Sequence, residues 1–239
     1  MRCGLYGKLP AKRDFVSLGV PRNFLRIWEP WLDQGLRESR ADMGLAEWTE
    51  AFASAPIWRF WLGRDLCGKP IVGAIMPSMD ACGRFYPLTL VGAAESGEVL
   101  APPTVDPHFA WYDEAETFLL ATLDGNTSFD ATREALARLS RRTDPAGADG
   151  EDAGVPLPAP EAALQKLLAA LALAPREIPV EQVAFFWTLG GEDYPPAALM
   201  HRSMPAPRAF ARLLSDRFTS QPEPCPQPAS PQPASLQPE

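Results

Sequence analysis

Two spacings of apolar residues alternate along this chain, and each change of spacing marks a change of element. Leu5 and Tyr6 stand in a Gly-punctuated opening that reads as a strand closed by a turn at Pro10. Phe24, Ile27, Trp28, Trp31, Leu32 and Leu36 then recur every three to four positions, the period of one helical face. Pro30 falls inside that pattern. It lacks an N–H and crowds the preceding turn, which predicts a kink or two short helices. Trp48 and Phe52, four apart, extend the helical reading over Ala46–Phe52.

From Pro56 the period shortens. Ile57–Leu62, Ile71–Met76 and Phe85–Val91 are short, aromatic or β-branched, and bounded by Gly and Pro. They read as consecutive strands with short connections, hence antiparallel neighbours. Pro87 cannot donate to a ladder, which assigns it to an edge or a bulge. Helical spacing returns over Trp111–Leu123, Asp130–Arg141 and Glu161–Leu173. Val183–Leu189 fits a buried strand, and Pro207–Phe218 a last helix. Helical and strand blocks alternate, so strands distant in sequence must share a sheet. The fold class this predicts is α/β, with a mixed, largely antiparallel central sheet covered by helices on both faces. The N-terminal strand and Val183–Leu189 are expected in the sheet interior, and one domain is expected over residues 1–218.

At 239 residues the chain can bury a core without a disulfide or metal staple. Its net charge of −8 is unevenly placed. The run 143–161 holds Asp144, Asp149, Glu151, Asp152 and Glu161 without a cation, and 219–239 adds Glu223 and Glu239, leaving −1 for the rest. Residues 143–160, rich in Pro, Gly and acid, are expected to form a flexible loop. Residues 219–239, with the repeat QPAS, are expected to be a disordered tail of polyproline II character. A nearly neutral body with acidic appendages offers no basic face to phosphates, so no nucleic-acid partner is expected. The same balance argues against an anionic membrane surface. Cys3, Cys67, Cys82 and Cys225 have no metal-pair spacing, which points to a reduced protein. The opening MRCGLYGKLP has no apolar h-region, and no run is long and apolar enough to span a bilayer. A cytoplasmic location without membrane insertion is the expectation.

The search for chemistry yields no catalytic set and no cofactor site. In GLYGKLP the two glycines stand too close for a phosphate-binding loop, and Leu9 occupies the place of the hydroxyl that would hold magnesium. His108 and His201 are far apart, and neither has a carboxylate at ligand spacing on a clear helix. Ser78, Asp80 and His201 contain the letters of a hydrolase triad, but Ser78 lacks the nucleophile elbow and Asp80 is only two residues away. The seven tryptophans fall mostly on apolar faces and read as core. On an alternating strand, however, Trp58 and Phe60 point one way, and Ile57, Arg59 and Trp61 the other. Such a strand is either covered twice or exposes an aromatic face, and exposed Trp58 and Arg59 would suit a protein-binding hot spot.

Three passages carry a family signal: GLYGKLPAKRDFVSLGVP (4–21), APIWRFWL (55–62) and MPSMDACGRFYPLTL (76–90). A weaker echo follows in AFFWTLGG (184–191) and MPAPRAF (204–210). Together they resemble the TagF family of type VI secretion-associated proteins. The resemblance implies a three-layer α/β/α sandwich in the cytoplasm, acting as a post-translational negative regulator of the secretion machine. The partner it implies is a forkhead-associated-domain scaffold protein of the same system. Some relatives carry a fused serine/threonine phosphatase domain; no such segment is found here, and no phosphatase activity is carried over. The late motif departs from the family, with Ser203-Met204-Pro205 where Gly-Leu-Pro is expected.

The signature residues have a structural reading. Gly7 and Gly83 permit tight turns, Asp80 and Arg84 pair across a glycine to fix a turn, and Asp14 caps the entry to the first helical region. In the functional reading, Lys8, Asp14, Ser78, Asp80 and Arg84 gather into one polar patch that touches the partner. The reading from another class is a small-molecule or nucleotide-binding enzyme built on loops 4–14 and 76–86.

Overall fold

The computed structural model describes residues 1–95, 97–142, 165–166, 168–170, 179–191 and 194–216. Among these, the strands are β1 (Arg2–Lys8), β2 (Phe15–Leu18), β3 (Trp58–Leu62), β4 (Ile71–Met76), β5 (Leu88–Ala93), β6 (Ala184–Thr188) and β7 (Ala197–His201). The helices are α1 (Arg22–Met43), α2 (Leu45–Ser54), α3 (Arg64–Cys67), α4 (Phe109–Ala121), α5 (Phe129–Arg142) and α6 (Ala211–Leu214). Tight 3-10 turns occupy Val180–Gln182 and Pro207–Phe210.

The strands join one sheet in the order β2-β1-β5-β4-β3-β6-β7. Every pairing among the described residues is antiparallel, where a mixed, largely antiparallel sheet was expected. β3, β4 and β5 form the expected meander, with β1 added beside β5 and β6 beside β3. Both strands expected in the interior lie there: β1 sits between β2 and β5, and β6 between β3 and β7.

Alternation along each strand sends side chains to two separate cores. Trp58, Phe60 and Leu62 of β3 join Ala184 and Phe186 of β6 beneath α1, α2 and α6. Trp61 of β3, with Phe185 and Trp187 of β6, lies beneath α4 and α5. Helices therefore cover both faces, which makes the three layers. Buried polar groups tie the layers together. Trp28 Nε1 donates to Thr89 Oγ1 at 3.1 Å, and the Tyr112 hydroxyl to the Phe60 carbonyl at 2.7 Å.

α1 runs unbroken for 22 residues with Pro30 inside it, where two short helices were one expectation. Phe24, Trp28, Trp31 and Leu32 bury a stripe that crosses the proline, while Pro30 itself faces outward. Each such side chain contributes roughly 2–3 kcal/mol on burial, which outweighs one lost helical hydrogen bond. The expected strand Phe85–Val91 begins later, at Leu88, because Pro87 has no N–H to offer the central ladder. The last helix is shorter than expected and opens as a 3-10 turn with Pro207 near its start. Asp14 caps no helix. α1 begins after Pro21, without a side-chain cap, and β2 intervenes. The acidic run 143–160 and the tail 219–239 lie outside the described residues, as does most of Glu161–Leu173, although Leu168 is buried among the α4–α5 core residues.

Candidate functional site

The end of β1 and the connection between β4 and β5 meet because those strands are held together by the ladder in which Gly7 pairs with Leu88 and Met76 also pairs with Leu88 across β5. That register brings Lys8 beside the turn 78–84. Asp80 is the hub. Its Oδ1 accepts from the amides of Cys82 and Arg84 at 2.9 and 3.0 Å. Its Oδ2 accepts from Arg84 Nε at 2.7 Å and pairs with Lys8 Nζ at 3.1 Å. The Asp80 amide and carbonyl bond Arg84 and Gly83, which closes the turn from the backbone side. Ser78 donates its hydroxyl to the Lys8 carbonyl at 2.8 Å, and Lys8 Nζ also donates to the Arg84 carbonyl at 3.3 Å.

Burial disfavours ionisation of Asp80, but it is overruled. The Arg84 amide, the Lys8 ammonium, the Cys82 amide and the Arg84 guanidinium together hold the carboxyl well below the usual carboxylate range. Two glycines shape the backbone around it. Gly7 has φ of 129°, and a Cβ there would stand 2.0 Å from the Pro87 carbonyl oxygen. Gly83 has φ of 75° in open space, so it supplies the turn alone.

Four of the five residues expected to gather do so: Lys8, Ser78, Asp80 and Arg84. Asp14 stands exposed in the adjoining loop and makes no hydrogen bond or ion pair among the described residues. Trp58 and Arg59 lie elsewhere, and both are buried. Trp58 donates Nε1 to the Leu213 carbonyl and meets Tyr194 edge to face. Arg59 reaches under α4, where Nε contacts Glu116 at 2.6 Å and a terminal nitrogen contacts Asp113 at 2.9 Å. The doubly covered strand is the reading the structure realises at β3.

Chemically, the hub is saturated. The oxygens of Asp80 are each engaged twice, and the Ser78 hydroxyl is spent on a carbonyl. A crevice of about 20 Å³ between Pro77 and Pro87 is apolar, lined by Phe52, Trp58 and Phe210, and none of the four gathered residues lines it. A cleft of about 730 Å³ lies at the opposite end of β1, against Arg2, Cys3 and Ser140.

Sequence reasoning passed over the surface around this hub. The loop before β2 is stitched to the turn by Ala81 N–H to the Lys12 carbonyl at 2.8 Å and by an Arg84 terminal nitrogen to the Arg13 carbonyl. Lys12, Arg13, Phe15 and Met79 are all exposed, and Lys12 Nζ lies 4.1 Å from the centre of the Phe129 ring. Phe15 packs edge to face on Tyr86 with centroids 4.7 Å apart. Residues 12–15 are written in the first signature passage as KRDF, but only the fold shows that Lys12 lies over Phe129 while Phe15 packs on Tyr86.

Residues 4–139 match the TagF N-terminal domain, type VI secretion system-associated. The chain belongs to that family. All three strong TagF passages fall inside the matched stretch, and the two late passages fall beyond it. Among solved structures, the crystal structure of PA0076 from Pseudomonas aeruginosa PAO1 is similar at 29% identity with a TM-score of 0.69. That likeness covers 96% of this chain and 100% of PA0076, so it extends past the matched TagF stretch. No curated protein matches the chain. No helix among the described residues is long and apolar enough to cross a membrane.

Proposed function

We propose that this chain is a non-catalytic cytoplasmic accessory protein that restrains type VI secretion post-translationally by binding a forkhead-associated-domain scaffold protein of the same system. Family membership supplies the secretion context. The observation that carries the non-catalytic part is the saturation of the signature cluster. A general acid, base or nucleophile needs a free valence aimed at a substrate. Both Asp80 oxygens, the Ser78 hydroxyl, the Lys8 ammonium and Arg84 Nε are engaged with one another or with backbone. Such an arrangement stiffens a surface, and a stiff surface loses little conformational freedom when a partner docks.

Calorimetry with the scaffold from the same organism tests this reading: saturable binding at micromolar concentration or tighter is expected, and its absence would refute it. A thermal-shift screen with nucleotides, metal ions and phosphorylated metabolites is expected to leave Tm in place. A clear rise with any of them would favour an enzyme using loops 4–14 and 76–86.

A further inference from the structure

We infer that Arg59 Nη1 and Trp187 Nε1 share an internal water beneath α4, at a site separate from the signature cluster. Arg59 on β3 and Trp187 on β6 stand directly opposite each other in the ladder, and both are fully buried. Residues paired in this way send their side chains to the same face, with Cβ atoms about 5 Å apart. Here α4 covers that face, and the ring of its Tyr112 packs against both. The ring centroid lies 5.4 Å from the guanidinium carbon of Arg59 and 5.0 Å from the centroid of Trp187.

The donors of Arg59 meet different fates. Nε reaches Glu116 Oε1 at 2.6 Å, and Nη2 reaches Asp113 Oδ1 at 2.9 Å. Nη1 has no acceptor among the described residues, and neither has Trp187 Nε1. The Tyr112 hydroxyl serves neither, because it is spent on the Phe60 carbonyl at 2.7 Å. Buried donors left unpaired are rare in folded proteins, and two on facing side chains against one ring call for a common acceptor. Two other indoles lack an acceptor, but Trp31 belongs to the opposite core and Trp111 lies against the Cys3 thiol.

Charge names the occupant. A small anion would meet two carboxylates against one guanidinium, which is a repelling environment. A water oxygen is neutral, accepts from both N–H groups and has two hydrogens to give. Their acceptors are the second oxygens of Asp113 and Glu116, since Arg59 engages only Oδ1 and Oε1. A water so placed has the two to four polar partners usual for a buried one. Asp113 is largely exposed, so exchange with bulk solvent needs only a local movement of α4.

Water-selective NOE and ROE spectra of the full isotopically labelled chain test this. Trp187 Hε1 is expected to give a cross peak to water with the sign of a long-lived molecule. Arg59→Met removes one donor and frees both acids; it is expected to erase that peak and to lower oxygen-17 relaxation dispersion by the amplitude of about one water. A peak that persists in Arg59→Met, with Tm retained, would detach the water from Arg59 and refute the shared site. The wild-type spectrum decides even where the variant does not fold. A missing peak, with Trp187 Hε1 shifted upfield by the Tyr112 ring, would put the indole N–H on the ring face and overturn the inference. A Trp187 Hε1 shift on replacing chloride by bromide would overturn it as well, because the occupant would then be an anion.

Discussion

Asp80 takes part in more polar contacts than any other side chain of the signature, and its removal has a pH signature of its own. Its carboxyl is held below the usual range, whereas the unfolded value is about 3.9. A depressed folded-state pKa contributes stability that is fully present above the unfolded value and is lost as pH falls through the folded one. Asp80→Asn should therefore lower Tm by a constant amount from about pH 7 to about pH 5, with the gap closing only below about pH 4. Scanning calorimetry across that range checks it; a gap that closes near pH 6 would assign the effect to another group. The two signature glycines make a contrasting pair. Gly7→Ala drives a Cβ into the Pro87 carbonyl and should cost roughly 3 kcal/mol or more. Gly83→Ala meets open space and should cost about 1–2 kcal/mol for its left-handed backbone alone. Urea titration of both variants separates them. At this scale the sequence was partly readable: the four-residue spacing of Asp80 and Arg84 across a glycine announces their pair. Lys8 joins them in the functional reading only through the shared signature passages, because a contact across 72 positions is set by strand register, which no local pattern encodes.

Elements answer to what lies beneath them. Arg59 is fully buried on β3, yet its partners Asp113 and Glu116 lie on α4, and Asp113 is largely exposed. Neutralising both acids leaves a buried cation uncompensated, whereas Arg59→Met leaves two carboxylates that can turn to solvent. The double variant Asp113→Asn/Glu116→Gln should therefore lose on the order of 2–3 kcal/mol, and Arg59→Met less than about 1.5 kcal/mol. Equilibrium denaturation with unchanged m-values would report this order, and the reverse order would refute it. Pro30, exposed in the middle of α1, withholds one helical donor for no packing gain, so Pro30→Ala should raise stability by about 1 kcal/mol or more, read as a higher Tm. The helices and central strands were legible because one face of each is apolar at a clean period. β2 and β7 were not. Each is short, lies at a sheet edge with one ladder, and is flanked by Gly or Pro, so neither shows a sustained period.

Across the whole molecule, protection should follow position in the sheet. Every residue of β4 and β5 is buried, and both strands are laddered on two sides. Amide hydrogen exchange is expected to be slowest there and fastest in β2 and β7, and uniform exchange across the sheet would contradict this ordering. Helices on both faces could be inferred from alternating blocks, but strand order could not, since β1 and β6 join opposite sides of the meander through contacts distant in sequence. The same two-sided covering has a practical outcome. All seven indoles are sealed inside, none more than 8% exposed. Tryptophan emission from this chain will thus register loss of the fold as one large red shift, and it will stay nearly silent when a partner settles on the outer surface. An association assay read by fluorescence needs its chromophore on the partner.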